Sequence, residues 1–118
     1  MLLYTIKEVI LKNKHHEQKR KIIEFHDPDM AIVAEFLMSD ASLLNFYTLK
    51  QIESVLSGKR QEASVNGNRC AVHITKHKTV IEDLLTDMFD GIQPYETYEI
   101  DTTTFKELIL MWHDELQK

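Results

Sequence analysis

The chain has 118 residues, 43% of them hydrophobic and 28% charged, with a formal net charge of −5. This size and composition exclude a disordered chain and predict one folded domain over residues 1–118. The apolar N-terminus is interrupted by Lys7 and Glu8, which argues against a signal peptide or spanning helix and predicts a cytoplasmic protein with no membrane partner. Cys70 is the only cysteine, so no intramolecular disulfide can form, and its apolar neighbours predict a buried thiol.

The first two predicted elements form a β-hairpin. Residues 3–11 alternate in a mostly apolar, β-branched pattern that favours a strand, with a helix as the competing interpretation. The polar sequence NKHHEQK predicts a turn. Residues 21–26 then predict a second short strand that returns antiparallel to the first.

A helical middle follows the hairpin. Asp27 or Asp29 can cap a helix that tolerates Pro28 in its first turn, and apolar residues then recur at helical spacing. These positions are Ile32, Val33, Phe36 and Leu37, followed by Leu43, Leu44, Tyr47, Ile52, Val55 and Leu56. The two runs predict either two helices or one kinked helix, ended by Gly58.

From residue 60 onwards the apolar pattern has a period of two, which predicts strands. Asn66-Gly67 is a strong signal for a two-residue hairpin turn, because both residues accept the positive φ that such a turn needs. We therefore expect a meander with strands over residues 61–65, 69–75 and 79–85, followed by a short strand over residues 95–100.

The clearest predicted element is a C-terminal helix. Asp101 or Thr102 can supply an oxygen for the first free amides, and Thr104 with Glu107 matches a capping box. One face of this helix carries Phe105, Leu108, Ile109, Trp112 and Leu116. Together the elements predict an α+β fold: an antiparallel sheet of N-terminal hairpin and Asn-Gly-turned meander, a central helical segment, and a packed C-terminal helix. How the hairpin joins the meander stays open.

Motifs for catalysis, cofactor binding or metal binding are not found in the sequence. His73 and His77 would lie about 13 Å apart along a strand that rises about 3.3 Å per residue, too far to share one ion. His15 and His16 are adjacent, so their rings would point apart. The chain has three glycines and neither a phosphate loop nor a nucleophile elbow. We therefore expect no enzyme, no cofactor and no metal.

Charge is unevenly distributed along the chain. The N-terminal part has a short basic cluster of Lys12, Lys14, Lys19, Arg20 and Lys21, but the acidic balance of the whole chain argues against nucleic acid as a ligand. The acidic last third predicts contact with one basic protein partner, because opposite potentials speed encounter and tyrosines anchor complexes. A solvated acidic face is the alternative. The predicted contact residues are Asp83, Asp87, Asp90, Tyr95, Glu96 and Tyr98.

Four short stretches of the second half stand out together. They are Leu56-Ser57-Gly58, Asn66-Gly67-Asn68, Lys78-Thr79-Val80-Ile81, and Tyr98-Glu99-Ile100-Asp101-Thr102 followed by Phe105, Leu108 and Trp112. In these stretches the chain resembles small bacterial proteins that include immunity proteins of polymorphic or contact-dependent toxin systems. The resemblance implies an α+β fold and, by analogy, neutralisation of a cognate toxin such as a nuclease. The sequence thus predicts a non-enzymatic protein-binding module; the alternative is a self-associating regulatory or assembly domain.

Overall fold

Two antiparallel sheets and three helices make up the fold of the computed structural model, which describes residues 2–85 and 93–118. The strands are β1 (Tyr4–Lys12), β2 (Glu17–Phe25), β3 (Glu62–Asn66), β4 (Cys70–Thr75), β5 (Lys78–Asp83) and β6 (Tyr98–Asp101). The helices are α1 (Ala31–Ser39), α2 (Leu43–Leu56) and α3 (Thr102–Leu116). One sheet is the hairpin β1-β2 and the other is the meander β3-β4-β5-β6. The predicted α+β fold is confirmed.

The hairpin β1-β2 is a separate sheet rather than part of the meander. β1 pairs with β2 along its whole length, so the helical alternative for the first residues is wrong. At its base Ile23 is fully buried and Ile6 is half-buried, and β2 packs on α1. Residues 10–20 are all exposed. We call residues 8–21 the arm, because they extend from the core as a two-stranded ribbon.

A short 3₁₀ turn, Pro28–Met30, leads from the hairpin into α1. Of the two predicted caps Asp27 is the one used, because its carboxylate accepts a hydrogen bond from the Asp29 N–H at 2.9 Å. The apolar face predicted for α1 is confirmed, since all four of its residues are buried. On that face the Phe36 ring packs against Phe105 of α3, with ring centroids 5.1 Å apart.

The second helix of the predicted pair, α2, begins with a left-handed turn. Leu44, Asn45 and Phe46 have φ angles of 52°, 56° and 58°, a region that L-residues rarely adopt. The Phe46 ring packs edge-on against His113 of α3, with centroids 4.5 Å apart. The helix ends as predicted, because Gly58 lies just past its last turn with a φ of +84°.

The connection between β3 and β4 differs from the predicted two-residue turn. Asn66 still belongs to β3, opposite Ala71, and the Gly67 N–H donates to the Cys70 carbonyl at 2.9 Å. Neither Asn66 nor Gly67 has a positive φ. The hairpin is therefore confirmed, but the Asn-Gly turn is wrong and the chain reverses over residues 67–70.

The buried carboxylate of Asp40 explains the glycine at position 67. Its oxygens accept hydrogen bonds from the backbone N–H groups of Asn68, Arg69 and Cys70, at 2.7 to 3.2 Å. A Cβ added to Gly67 would lie 2.5 Å from the Cγ and Oδ2 atoms of Asp40. Glycine is thus needed here because a side chain approaches closely, and not because of its φ.

Asp101 caps α3, since its carboxylate accepts a hydrogen bond from the Thr104 N–H at 3.1 Å. The capping box predicted from Thr104 to Glu107 is wrong, because Thr104 lies inside the helix. The predicted apolar face is buried at Phe105, Leu108, Ile109 and Trp112, whereas Leu116 is 42% exposed. No helix within residues 2–85 and 93–118 is long and apolar enough to cross a membrane.

The Cys70 thiol is fully buried at the start of β4, as predicted. Burial, together with the nearby carboxylates of Asp40 and Asp83, raises the pKa of Cys70 to about 12. We expect a thiol reagent at neutral pH to leave the native protein unlabelled during a period in which it fully labels the urea-unfolded chain. Equally fast labelling of both states, followed by absorbance, would contradict this burial.

Candidate functional site

Two adjoining pockets meet at Tyr95. One, of about 330 Å³, lies between β2 and α1, and the other, of about 300 Å³, lies between the 3₁₀ turn and residues 94–96. Pro28, Ala31 and Tyr95 line both pockets. We call the combined depression the Tyr95 groove.

The lining of the Tyr95 groove combines apolar side chains with carboxylates. Phe25 and Met38 are among its apolar residues. The carboxylates are Glu24, Asp27 and Glu35 in the first pocket and Asp29 and Glu96 in the second. Among the described residues, no lysine, arginine or histidine lines either pocket. The groove therefore has a negative potential over a surface that can bury an apolar anchor.

Three of these carboxylates are open to a partner. Asp27, Asp29 and Glu96 are exposed and, within residues 2–85 and 93–118, have no cationic group within 4 Å. Glu24 and Glu35 each have one cation at 4.0 Å, Lys7 Nζ and Arg69 Nη1 respectively. A basic surface approaching the groove would therefore meet uncompensated negative charge at Asp27, Asp29 and Glu96.

A half-buried ion pair holds Tyr95 in place. Arg69 donates two hydrogen bonds to Asp83, from Nε to Oδ1 at 2.9 Å and from Nη2 to Oδ2 at 3.1 Å. The Tyr95 N–H donates to the same Oδ2 at 2.9 Å, and the Tyr95 ring centroid lies 5.4 Å from the Arg69 guanidinium. The Leu85 N–H donates to Oδ1 at 2.9 Å. The backbone on both sides of residues 86–94 is thus fixed to one carboxylate.

The charge of Asp83 is maintained inside the protein. Burial disfavours the charged form of this carboxyl group, whose side chain is 1% exposed. Hydrogen bonds from the Arg69 side chain and from the N–H groups of Tyr95 and Leu85 outweigh that effect, so the pKa of Asp83 lies below its ordinary value. Asp83 therefore positions Tyr95 with its oxygens already occupied.

The structure brings three of the predicted contact residues together. Tyr95 and Glu96 line the groove, and Asp83 lies beneath them as the anchor of Tyr95. Tyr95 is 42% exposed, so its ring is available at the surface although its backbone is fixed. Contact between these residues and a partner stays a prediction.

The other three predicted contact residues are not part of the groove's described lining. Tyr98 lies opposite Ile81 in the meander and is half-buried against the core. Because opposed residues of two strands share one face of the sheet, the Tyr98 ring points towards the buried side. Asp87 and Asp90 lie outside the described residues.

Sequence reasoning missed the contribution of the N-terminal half to the groove. Glu24, Asp27, Asp29 and Glu35 all line it, but from the sequence Asp27 and Asp29 were considered only as helix caps and no role was assigned to the two glutamates. The sequence does contain a signal for this acidic surface: residues 24–35 have four carboxylates, and their only basic residue is one histidine.

A further pocket, of about 290 Å³, lies where the left-handed turn of α2 meets the β3–β4 connection. Its described lining includes Leu44 and Tyr47, and its one carboxylate, Asp40, already accepts hydrogen bonds from three backbone N–H groups. It therefore offers no free charge to a ligand. No three histidine, cysteine, aspartate or glutamate side chains of residues 2–85 and 93–118 are grouped so that they could hold a metal ion.

Comparison with known proteins gives one informative relative. Over 87 residues the chain is 32% identical to an immunity protein of Bacillus cereus, and the aligned part covers 74% of this chain and 71% of that protein. The chain belongs to this immunity-protein family. The resemblance predicted from the sequence is confirmed at that level, and the Tyr95 groove is a candidate binding surface on an immunity-family fold. No protein-family model and no solved structure matches the chain.

Proposed function

We propose that this chain is a non-enzymatic immunity protein of the cytoplasm, which binds one basic protein toxin through the Tyr95 groove and blocks the toxin's active site. The observation that carries the proposal is the groove's set of five carboxylates around an apolar lining. Membership of an immunity-protein family supports the general role. A nuclease is a fitting toxin, because its basic nucleic-acid groove complements an acidic surface.

The groove supports binding in two ways. The exposed carboxylates of Asp29 and Glu96 attract a basic surface and speed its encounter with the groove. Tyr95 then provides an aromatic anchor whose position is fixed beforehand by Arg69 and Asp83, so that little conformational freedom is lost when it becomes buried. Inhibition follows from occlusion, and no covalent chemistry is required of the immunity protein.

Charge reversal in the groove tests this proposal. The partner is isolated by co-purification with this chain from the native host and then produced as a catalytically inactive variant. Its affinity is measured by calorimetry at several salt concentrations. We expect Asp29→Lys with Glu96→Lys to weaken binding by about 10- to 100-fold at low salt, because two favourable charge contacts become repulsive. The loss should shrink as salt rises, since exposed charges are screened.

The matched control is Glu53→Lys with Glu107→Lys. Both glutamates are exposed, on α2 and α3, neither lines the groove, and the change in net charge is the same. We expect this variant to bind within about threefold of the wild type, because long-range charge effects are largely screened. Equal losses in both variants would assign the effect to net charge, and unchanged binding after reversal of Asp29 and Glu96 would remove the groove from the mechanism. Thermal unfolding of each variant checks that it is folded.

A further inference from the structure

β1 has a free outer edge with exposed apolar side chains. β2 packs on α1, whereas the other edge of β1 pairs with no strand among residues 2–85 and 93–118. Ile10 and Leu11 are 53% and 48% exposed, and Val9 is half-buried. A long edge strand with exposed apolar residues is a template for pairing with another strand. The outer edge of the arm therefore has unpaired backbone N–H and C=O groups next to exposed apolar side chains.

The backbone groups along this edge belong to the even-numbered residues of β1. At the tip of the arm the Asn13 N–H donates to the His16 carbonyl at 2.9 Å, which makes position 13 a hydrogen-bonded position of the β1-β2 ladder. Such positions alternate along an antiparallel pair. The odd-numbered residues therefore bond to β2, and Glu8, Ile10 and Lys12 direct their N–H and C=O groups outwards.

Only some registers allow β1 to pair with the β1 of a second copy. In a twofold antiparallel pair, opposed residues lie on the same face of the sheet, so an even-numbered residue must face an even-numbered one. With Ile10 facing Ile10 of the second copy, Val9 faces Leu11 and Glu8 faces Lys12, and the last two pairs each occur twice. All outward backbone groups of Glu8, Ile10 and Lys12 are then hydrogen-bonded.

Other registers are less favourable. Centring the pair on Lys7 or on Glu8 places two like charges directly opposite each other, which destabilises a sheet. Centring it on Val9 places Glu8 against Ile10 and Lys7 against Leu11, so charged residues face apolar ones. The register centred on Ile10 is the one in which apolar residues face apolar residues and glutamate faces lysine.

The charged residues of β2 also favour the register centred on Ile10. Lys12 lies opposite Glu17 within the arm, with Nζ 3.4 Å from Oε1, and Glu8 lies opposite Lys21. In a four-stranded sheet of order β2-β1-β1-β2, one row across the sheet would contain Glu17, Lys12, Glu8 and Lys21, the last two from the second copy. The signs alternate along the whole row, which favours this register over shifted ones.

We propose that two copies of this chain form a twofold dimer by antiparallel pairing of their β1 strands, centred on Ile10. The inference is independent of the proposed function, because residues 8–12 do not line the Tyr95 groove. The contact is short and smaller than a standard stable interface, so the dimer forms at high protein concentration.

Reciprocal charge reversal tests the register. Sedimentation velocity of the full chain, up to several hundred micromolar protein, should show a concentration-dependent dimer for the wild type. We expect Glu8→Lys alone and Lys12→Glu alone to weaken dimerisation by about tenfold or more, since each creates two like-charge pairs. An equimolar mixture of the two single variants should dimerise at least about tenfold more strongly than either variant alone, because positions 8 and 12 then have opposite signs across the interface while the charges within each arm are unchanged. Glu53→Lys, on α2, is the control and should dimerise like the wild type.

A proline variant tests the backbone contact separately. Ile10→Pro removes an N–H that faces the free edge, so the β1-β2 ladder stays intact while the two central bonds of the dimer are lost. We expect a folded monomer by circular dichroism and sedimentation. Three results would overturn the proposal: a monomeric wild type at every concentration, a dimer that Ile10→Pro leaves unchanged, or a mixture of Glu8→Lys and Lys12→Glu that dimerises no better than either variant alone.

Discussion

Replacing Asp40 with alanine should destabilise the protein by about 3 kcal/mol or more, because hydrogen bonds to a charged group contribute roughly 1.5–3 kcal/mol each and an unsatisfied buried donor adds a penalty. The carboxylate of Asp40 accepts from the N–H groups of Asn68, Arg69 and Cys70, and the Cys70 N–H is buried. Water can replace the carboxylate at the exposed Asn68 but not at Cys70. Urea unfolding followed by circular dichroism measures the loss.

Two further variants localise this effect. Gly67→Ala should cost about 1–3 kcal/mol, as overpacking does, because the new Cβ would lie 2.5 Å from the Asp40 carboxylate. Asp114→Ala, at an exposed position of α3, should change the free energy of unfolding by less than about 0.5 kcal/mol. If Asp40→Ala unfolded at the same urea concentration as Asp114→Ala, the carboxylate would not be what holds the β3–β4 connection.

Replacing Arg69 with methionine should cost about 3 kcal/mol at neutral pH, because the buried side chain of Asp83 would keep its charge and lose the cation that compensates it. Asp83 would keep the N–H groups of Leu85 and Tyr95 but lose the two charged hydrogen bonds from Arg69. The Tyr95 ring would also lose the guanidinium beneath it. Under the proposed function, toxin binding should weaken together with stability, since the anchor of the groove is less well fixed.

The pH dependence identifies the ion pair as the source of this loss. In the wild type the pKa of Asp83 is lowered, so its stabilising contribution is present above the unfolded-state pKa and is lost as the pH falls through the folded pKa. In Arg69→Met the pKa of Asp83 rises, and protonation relieves the buried charge. The stability difference between the two proteins should therefore shrink as the pH falls to about 4.

An exposed ion pair provides the control for this experiment. Lys78 Nζ lies 3.7 Å from Glu99 Oε2, and both side chains are more than half exposed. Lys78→Met should cost less than about 1 kcal/mol at any pH, as exposed pairs do. A difference between Arg69→Met and the wild type that stayed constant from neutral pH to about pH 4 would assign the loss to packing of the arginine stem.

Elements set by neighbouring residues could be predicted from the sequence. The apolar face of α1, the Gly58 helix end and the Asp101 cap depend on residues three or four positions apart, and all three are found. The Asn-Gly turn failed for a long-range reason. Gly67 fits because Asp40, 27 residues earlier, lies against it, and no local pattern contains that contact. The separate hairpin sheet likewise results from packing of β2 on α1.

The residues of the candidate site could likewise be predicted only in part from the sequence. Tyr95 and Glu96 could be found because they are neighbours in an acidic, tyrosine-bearing stretch. The carboxylates of residues 24–35 reach the same groove only after the chain has folded. The charge of Asp83 suggested a contact residue, but the pairing with Arg69, 14 positions away, occupies it. Composition gives only the net negative charge, and the tertiary structure shows which carboxylates of the groove have no cation within 4 Å.

The single carboxylate that receives both the Leu85 and the Tyr95 N–H groups has a consequence for how this chain can vary. Because both ends of the intervening segment are fastened to Asp83, insertions or deletions there need not move β5 or the tyrosine. Doubling the length of a closed segment costs only about 0.6 kcal/mol of closure entropy. Asp83 thus lets β5 and Tyr95 keep their positions when the length of the chain between them changes.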